Sequence, residues 1–224
     1  MSALELRHEL PGGARVLFTT RAEGNMSSMS GARAEHSEKA RERLRRQIGV
    51  RTLARGRQVH GAAVRRLAAA QDAPAPLEEA DGQATAAGGI GVMVLAADCL
   101  PVALGCAGAV AMLHAGWRGL AAGVLEQGVL ALEELAGPEP ISAVIGPGAG
   151  ACCYEVGEEV HAALAGEPQR GRIDLRAIAR RRLLAAGVAD VRDAAICTIC
   201  DERFFSHRRE GPRAGRQAGV AWLS

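Results

Sequence analysis

Short apolar runs bounded by glycine or turn residues recur along the chain, and such runs are typical of buried strands. The clearest cover residues 90–96 and 109–114, where nearly every position is apolar. The segment 98–101 lies between them, and we expect its proline to interrupt strand pairing. The pattern predicts strands over residues 14–20, 90–96, 109–114, 141–145, 194–198 and 217–223.

Amphipathic segments separate these runs. Residues 32–47 are highly charged and predict a surface helix, and residues 118–136 predict a longer helix with an apolar face. Residues 154–164 predict another helix, and Asp174 is placed to cap one that stops at Gly187. Because strands and helices alternate only loosely, we predict an α+β fold of mixed β-sheets flanked by helices rather than a repeated βαβ unit.

Composition narrows the class of protein. The chain has 224 residues, 48% hydrophobic and 23% charged, which predicts one domain over residues 1–224. A net charge of +2 and only 3% aromatic residues exclude a nucleic-acid coat, and we expect no nucleic-acid or membrane partner. No apolar run is long enough for a membrane span, and the charged start does not fit a signal peptide. We therefore expect a cytoplasmic protein. Its composition does not specify the oligomeric state.

Three segments at predicted strand ends carry side chains that can hold a metal ion. His60 lies in QVHG, Cys99 in ADCLP and His114 in LHAGWRG. Two imidazoles and one thiolate give zinc three protein ligands and leave a fourth position open, as catalytic zinc sites require. The spacing is not a local metal signature, so core or surface histidines with an inert thiol are the alternative.

The turn that follows His114 is a second candidate element. Gly116 and Gly119 allow close approach of a ligand, and Arg118 together with free backbone N–H groups fits an anion such as phosphate. The alternative is a tight strand-to-helix connection with an arginine in solvent.

Two further motifs have structural explanations as well as chemical ones. Cys197 and Cys200 have CxxC spacing, but no second CxxC accompanies them, which favours a strand thiol plus a loop thiol. Cys152 and Cys153 are adjacent, which disfavours a simple disulfide framework. His207 with its two arginine neighbours fits either the rim of an anionic substrate pocket or a solvated basic turn.

Several blocks in one order resemble a known family. The blocks are QVHG (58–61), ADG (80–82), ADCLPV (97–102), HAGWRGLAAGV (114–124), GPGAGACCYEVGEEV (146–160), CT (197–198), FFSHRREG (204–211) and GRQA (215–218). Through these blocks the chain resembles the laccase-like, polyphenol oxidase-like family now associated with zinc-dependent purine nucleoside phosphorylase activity.

The resemblance implies a specific chemistry. It implies one zinc ion per chain, with copper as the other candidate metal, held by His60, Cys99 and His114. It implies phosphorolysis of adenosine, inosine, guanosine or methylthioadenosine, with adenosine deamination as a companion activity and with a purine nucleoside and phosphate as partners. The same three residues are then the catalytic residues, and the substrate contacts are expected at Asp98, Gly116, Arg118, Asn25 and His207. For Asp98 the alternative is an exposed loop carboxylate.

The N-terminal third departs from the family pattern. Met29 stands where family members carry histidine, and Ala32 stands where they carry aspartate. Ala40 and Ala179 lie near positions where asparagine is expected. If the missing polar groups hold substrate or phosphate, metal binding is retained and activity is weak or altered.

Rival functions remain open at this point. Six histidines cannot supply the copper centres of a multicopper oxidase, although a lone copper site with Met112 near His114 fits the ligand preference of copper. A Cys99 thiolate activated by His114 would instead give a metal-independent hydrolase or deamidase, similar to deamidating bacterial toxins of this fold. A role in editing cell-wall precursors is a third class, raised by resemblance to some bacterial members.

Overall fold

The computed structural model describes residues 6–29, 36–68 and 77–224. Thirteen strands occur in the described residues: β1 (Arg7–Leu10), β2 (Ala14–Phe18), β3 (Thr52–Ala54), β4 (Val64–Leu67), β5 (Gly82–Thr85), β6 (Ile90–Ala96), β7 (Leu100–Cys106), β8 (Ala109–Ala115), β9 (Ser142–Ile145), β10 (Glu155–Val156), β11 (Gly171–Arg172), β12 (Asp190–Asp193) and β13 (Gln217–Leu223). The α-helices are α1 (Ser37–Ile48), α2 (Trp117–Ala122), α3 (Val124–Ala136), α4 (Glu158–Ala165), α5 (Leu175–Ala185) and α6 (His207–Glu210).

Two large mixed sheets form the framework. One has the order β1-β2-β13-β6-β3, and the other has the order β12-β9-β7-β8-β5-β4. The pairs β3·β6, β4·β5 and β12·β9 are parallel, whereas β7·β8, β8·β5 and β13·β6 are antiparallel. The predicted α+β class with mixed sheets and flanking helices is confirmed.

The core forms three apolar layers between the elements, because alternate strand residues face opposite sides of each sheet. Val92 and Met112 belong to the cluster between the two sheets, whereas Met93 belongs to the cluster under α1. Leu113 belongs to the cluster that joins the second sheet to α3 and α5. The layers therefore run α1, first sheet, second sheet, then the other long helices, and the strand ends that carry the site are held on both faces.

Several predicted elements agree with the structure, and two agree to the residue. Strands 90–96 and 217–223 are β6 and β13, and Asp174 caps α5 by accepting hydrogen bonds from the backbone N–H groups of Arg176 and Ala177. The charged helix is present as α1, and the first residues of the prediction lie outside the described residues.

Other predictions are corrected. The expected helix 118–136 is two helices, because Gly123 adopts a left-handed φ of 90° and caps the first of them. Pro101 does not interrupt pairing: it lies inside β7, and its carbonyl accepts a hydrogen bond from the N–H of Gly146. The predicted strand 194–198 pairs only at Cys197, and the strand lies earlier, in β12. The helix expected from residue 154 begins at Glu158, after the short strand β10.

In the part of the chain that the structure describes, no helix combines the length and apolar character that crossing a membrane requires.

Candidate metal centre and active site

The three predicted metal ligands meet at one place. His60 lies in the connection between β3 and β4, Cys99 directly precedes β7, and His114 lies near the end of β8. One ligand atom from each residue lies within 4.8 Å of the others. The imidazole rings of His60 and His114 have centroids 4.9 Å apart and meet edge to face. The fold thus brings these three residues together although they are far apart in the sequence.

Strand pairing explains why Cys99 and His114 are neighbours. In the antiparallel β7·β8 pair, Pro101 lies opposite His114 and Leu100 lies opposite Ala115. The residue immediately before β7 is therefore next to the end of β8. The backbone of Asp98 takes a φ of 87°, which turns the chain into this position.

Asp81 positions both histidines, although its side chain is completely buried. Its Oδ1 lies 2.8 Å from Nδ1 of His114 and accepts the N–H of His60 at 2.9 Å. Its Oδ2 accepts the N–H groups of Val59 and Gly61 at 3.0 and 2.8 Å. A carboxylate at Nδ1 fixes the ring and its tautomer, so Nε2 of His114 is the nitrogen left for a ligand.

The electrostatics of the site favour charged groups in the metal-free chain. Burial raises the pKa of the Cys99 thiol, but His114 and His60 outweigh it and bring that pKa to about 6. Burial lowers the pKa of His114, but the Cys99 thiolate and the Asp81 carboxylate together raise it to about 9. Near neutral pH the metal-free site therefore holds a thiolate beside an imidazolium.

Gly116 leaves the space that this arrangement needs. A Cβ at this position would lie 2.9 Å from Sγ of Cys99 and 3.2 Å from Cδ2 of His60. Its φ of −73° is open to any residue, so the restriction comes from the site and not from the backbone.

Asp98 does not lie free in a loop. It is buried, with its Oδ1 accepting the Thr198 hydroxyl at 2.7 Å and its Oδ2 accepting the Ser206 hydroxyl at 3.1 Å and the N–H of Arg208 at 2.7 Å. The alternative of an exposed loop carboxylate is wrong. With its oxygens occupied in this way, Asp98 ties two segments, the turn of Thr198 and the start of α6, to the residue next to Cys99.

The other expected substrate residues differ in how deeply they are buried. Arg118 is exposed, and its guanidinium stacks on the Trp117 ring at 4.2 Å. His207 is exposed at the start of α6. Asn25 is half-buried, and its Oδ1 accepts the N–H of Arg216 at 2.8 Å.

The departures from the family pattern fall in three environments. Ala40 lines a pocket of about 510 Å³ that Asn25 also lines, together with basic side chains. Met29 is 90% exposed, and Ala179 is buried in the core beneath the second sheet. Ala32 lies outside the described residues. Met112 packs in the core between the sheets, as a structural methionine does.

Sequence reasoning missed Asp81 and Arg216 as site residues. Both lie in quoted blocks, ADG and GRQA, but nothing local distinguishes them. Burial lowers the pKa of the Arg216 guanidinium, while Cys99 and Asp98 raise it in part. Arg216 is thus a half-buried cation whose pKa responds to the charges of Cys99 and Asp98.

The structure adds to the interpretation of the CxxC motif. Cys197 forms an isolated β-bridge and Cys200 lies in a turn, as expected, but both also lie beside Cys152 and Cys153. The sulfur atoms of all four lie within 4.8 Å of one another. The adjacent pair in one segment and the CxxC pair in another therefore form a single cluster.

The donor set of the first site fits a zinc ion. Two imidazoles and one thiolate are ligands that zinc takes, the three atoms lie close together, and the Asp81 contact is the outer hydrogen bond that metal-ligating histidines usually make. The same set also accepts copper.

Comparison with known proteins gives the family. The model of the family described as multi-copper polyphenol oxidoreductase laccase matches residues 15–224. A purine nucleoside phosphorylase of Xylella fastidiosa is 38% identical over 241 residues, covering 99% of this chain and 92% of its own. A purine nucleoside phosphorylase of Pseudomonas aeruginosa is 36% identical, with 95% of each chain covered.

Solved structures agree with that result. A Neisseria meningitidis protein, NMB0706, superposes with a TM-score of 0.86 at 31% identity, and the match covers 98% of both chains. YlmD from Geobacillus stearothermophilus has a TM-score of 0.81 at 28% identity, covering 94% of this chain and 92% of its own. This chain therefore belongs to the family described as multi-copper polyphenol oxidoreductase laccase.

Proposed function

We propose that this protein is a zinc-dependent purine nucleoside phosphorylase. The observation that carries the proposal is the convergence of His60, Cys99 and His114 within 4.8 Å, with Asp81 fixing one imidazole. Relatives named purine nucleoside phosphorylase, similar over nearly the whole chain, support the substrate class. The substrates are adenosine, inosine, guanosine or methylthioadenosine together with phosphate.

The reaction joins a phosphate oxygen to C1′ of the ribose. The bond from C1′ to the purine nitrogen breaks, its electron pair leaves with the base, and a proton completes the free base beside ribose 1-phosphate. Zinc held by His60, Cys99 and His114 would supply a Lewis acid at the centre of the site. Arg216 and Arg118 supply positive charge for phosphate, and Gly116 keeps space open beside the thiolate.

Adenosine deamination is proposed as a companion activity, with zinc in the same role and copper as a substitute in copper-rich preparations. Because Met29 and Ala32 replace polar residues of the family pattern, we expect phosphorolysis to be slow. The free cysteines fit a reducing compartment, so we place the reaction in the cytoplasm.

One observation favours a second function. Cys99, His114 and Asp81 are arranged as a nucleophile, a base and a carboxylate that orients the base. That arrangement fits a metal-independent hydrolase or deamidase, in which His60 is an accessory residue.

A chromatographic assay separates the two functions. Zinc-loaded protein with adenosine and phosphate should yield adenine and ribose 1-phosphate, whereas deamination should yield inosine without phosphate. Cys99→Ala should abolish both activities, and Cys106→Ala should not, because Cys106 is buried at the far end of β7, the strand that Cys99 precedes. No turnover of any of the four nucleosides would refute the phosphorylase. Amide hydrolysis that survives zinc removal and is lost on Cys99 alkylation would support the hydrolase, and a chain inactive in both assays would leave the cell-wall editing role.

A further inference from the structure

A second cluster of metal-binding side chains lies outside the candidate active site. Cys152 and Cys153 lie in the turn that follows β9, and Cys197 and Cys200 lie in the turn that follows β12. The Sγ atoms of Cys153 and Cys200 are 3.0 Å apart, and those of Cys152 and Cys200 are 3.6 Å apart. All four cysteines are free thiols, and two of them are exposed.

The spacing of the sulfur atoms fits a tetrahedral ion. A zinc–sulfur bond of about 2.3 Å places the four sulfur atoms of a tetrahedron roughly 3.8 Å from one another. The sulfur atoms of this cluster start at 3.0 Å and all lie within 4.8 Å of one another, so they bracket that value. Small side-chain rotations would bring them onto a common ion without a movement of the backbone.

Backbone N–H groups already face one sulfur atom. The N–H of Gly150 donates to Sγ of Cys197 at 3.3 Å, and the N–H groups of Ile199 and Cys200 interact with the same sulfur. Although burial raises the pKa of Cys197, these contacts lower it to about 7. A Cβ at Gly150 would lie 3.0 Å from Cβ of Cys197, a close approach that favours glycine at this position.

Crowding of the sulfur atoms raises the pKa of two other thiols of the cluster, Cys152 and Cys200. Hydrogen bonds to the neighbouring sulfur atoms of Cys153, Cys152 and Cys197 raise the pKa of Cys200. A divalent cation removes this penalty, because it compensates the negative charge of several thiolates at once.

We propose that Cys152, Cys153, Cys197 and Cys200 bind one zinc ion as a tetrathiolate site, separate from the site of His60, Cys99 and His114. Binding releases the thiol protons to solvent and changes no oxidation state. All four positions of the ion are filled by protein sulfur, as in structural zinc sites.

This site would fasten two turns that support the active site. Thr198, inside the CxxC turn, donates its hydroxyl to Asp98 at 2.7 Å. In the other turn, the N–H of Ala149 donates to the carbonyl of Asp98 at 2.7 Å. Both turns therefore contact the residue next to Cys99, and a shared zinc ion would hold them together.

The test removes the first site so that any remaining zinc is assigned to the second. The triple variant His60→Ala/Cys99→Ala/His114→Ala, expressed with zinc and dialysed, should retain about one zinc ion per chain by elemental analysis. Adding Cys152→Ser and Cys200→Ser should remove that zinc, and adding Cys106→Ser instead should not. The proposal would be overturned if the triple variant contained no zinc, or if its zinc persisted after the two serine substitutions.

Two further measurements keep the test valid if the serine variant folds poorly. Cys200→His should keep zinc, because three cysteines and one histidine also form structural zinc sites. Cobalt added to the metal-free triple variant should give the strong visible absorption of tetrahedral thiolate coordination. A disulfide within the cluster in protein purified without oxidant, or iron in place of zinc, would contradict the assignment.

Discussion

Replacing Asp81 with asparagine tests how the site is held. The shape of the side chain is preserved, but one oxygen becomes an amide that donates instead of accepting. If the amide takes the place of Oδ2, it faces the N–H groups of Val59 and Gly61. If it takes the place of Oδ1, it faces the N–H of His60 and forces Nδ1 of His114 to accept.

The expected cost follows from these contacts. Either orientation leaves two donors facing a donor in a fully buried position, unless His114 changes its tautomer. Each unsatisfied buried group costs about 1–3 kcal/mol, so the free energy of unfolding should fall by about 2–6 kcal/mol. For a chain of this length the melting temperature should fall by roughly 4–24 °C. Zinc affinity at the first site should fall by about 10- to 100-fold, because the outer hydrogen bond of a ligand is lost.

Calorimetry and zinc titration in the cysteine-cluster variant Cys152→Ser/Cys200→Ser would measure both effects on one site. Asp174→Asn is the matched control, because Asp174 caps α5 at the surface and asparagine caps a helix equally well. A melting temperature and zinc affinity of Asp81→Asn that equal those of Asp174→Asn would refute the role given to the Asp81 carboxylate.

Other expected outcomes follow from single contacts. Gly116→Ala should abolish zinc binding at the first site, whereas the control Gly157→Ala should not, because a Cβ at Gly157 meets nothing within 4 Å. Both glycines are N-caps of helices with extended backbone, so the two substitutions are matched. Equal zinc content in the two variants would contradict the close approach at Gly116. In metal-free protein, alkylation of Cys99 should reach half its maximal rate near pH 6, since the lowered pKa of Cys99 makes its thiolate dominant above that pH. The rate measured for Cys99→Ala is subtracted to remove the other thiols, and a corrected rate that still rises above pH 8 would contradict this. Arg176→Met should lower the free energy of unfolding by about 2–4 kcal/mol in denaturant titration, because the guanidinium donates to the carbonyls of Gly146, Gly148 and Ile196. Arg181→Met, on the exposed side of α5, is the control, and equal losses in the two variants would exclude a specific role for Arg176.

The sequence predicted the exact limits of β6 and β13, two strands that are buried on both faces. Strands β6 and β13 are apolar at almost every position, so their pattern and their limits coincide. Strand β4 carries Arg65 and Arg66 and pairs in parallel with β5, and nothing in such a short polar segment indicates a strand. Strand β7 was hidden by Pro101, whose missing N–H is tolerated because its carbonyl still accepts from Gly146.

The site was predictable where the residue type itself carries chemistry. His60, Cys99 and His114 were chosen because imidazole and thiolate bind metals. Asp81 was missed because an aspartate between alanine and glycine has many structural explanations, and its function depends on a buried contact across 33 positions. The four-cysteine cluster was missed because its two halves lie 44 to 48 positions apart, and only the fold joins them.

Two residues at the site have positive φ angles, which lower stability but are needed where the chemistry takes place. In the described ranges the residues other than glycine with positive φ are His60, Asp98 and Ala195, and the first two adjoin the candidate centre. A left-handed conformation costs a side-chain-bearing residue about 1–2 kcal/mol relative to glycine. Glycine at position 60 would therefore relax the backbone and delete a ligand in the same step. Sequence redesign that optimises stability on this backbone would favour that change, and it would tend to remove the residues that make the site reactive.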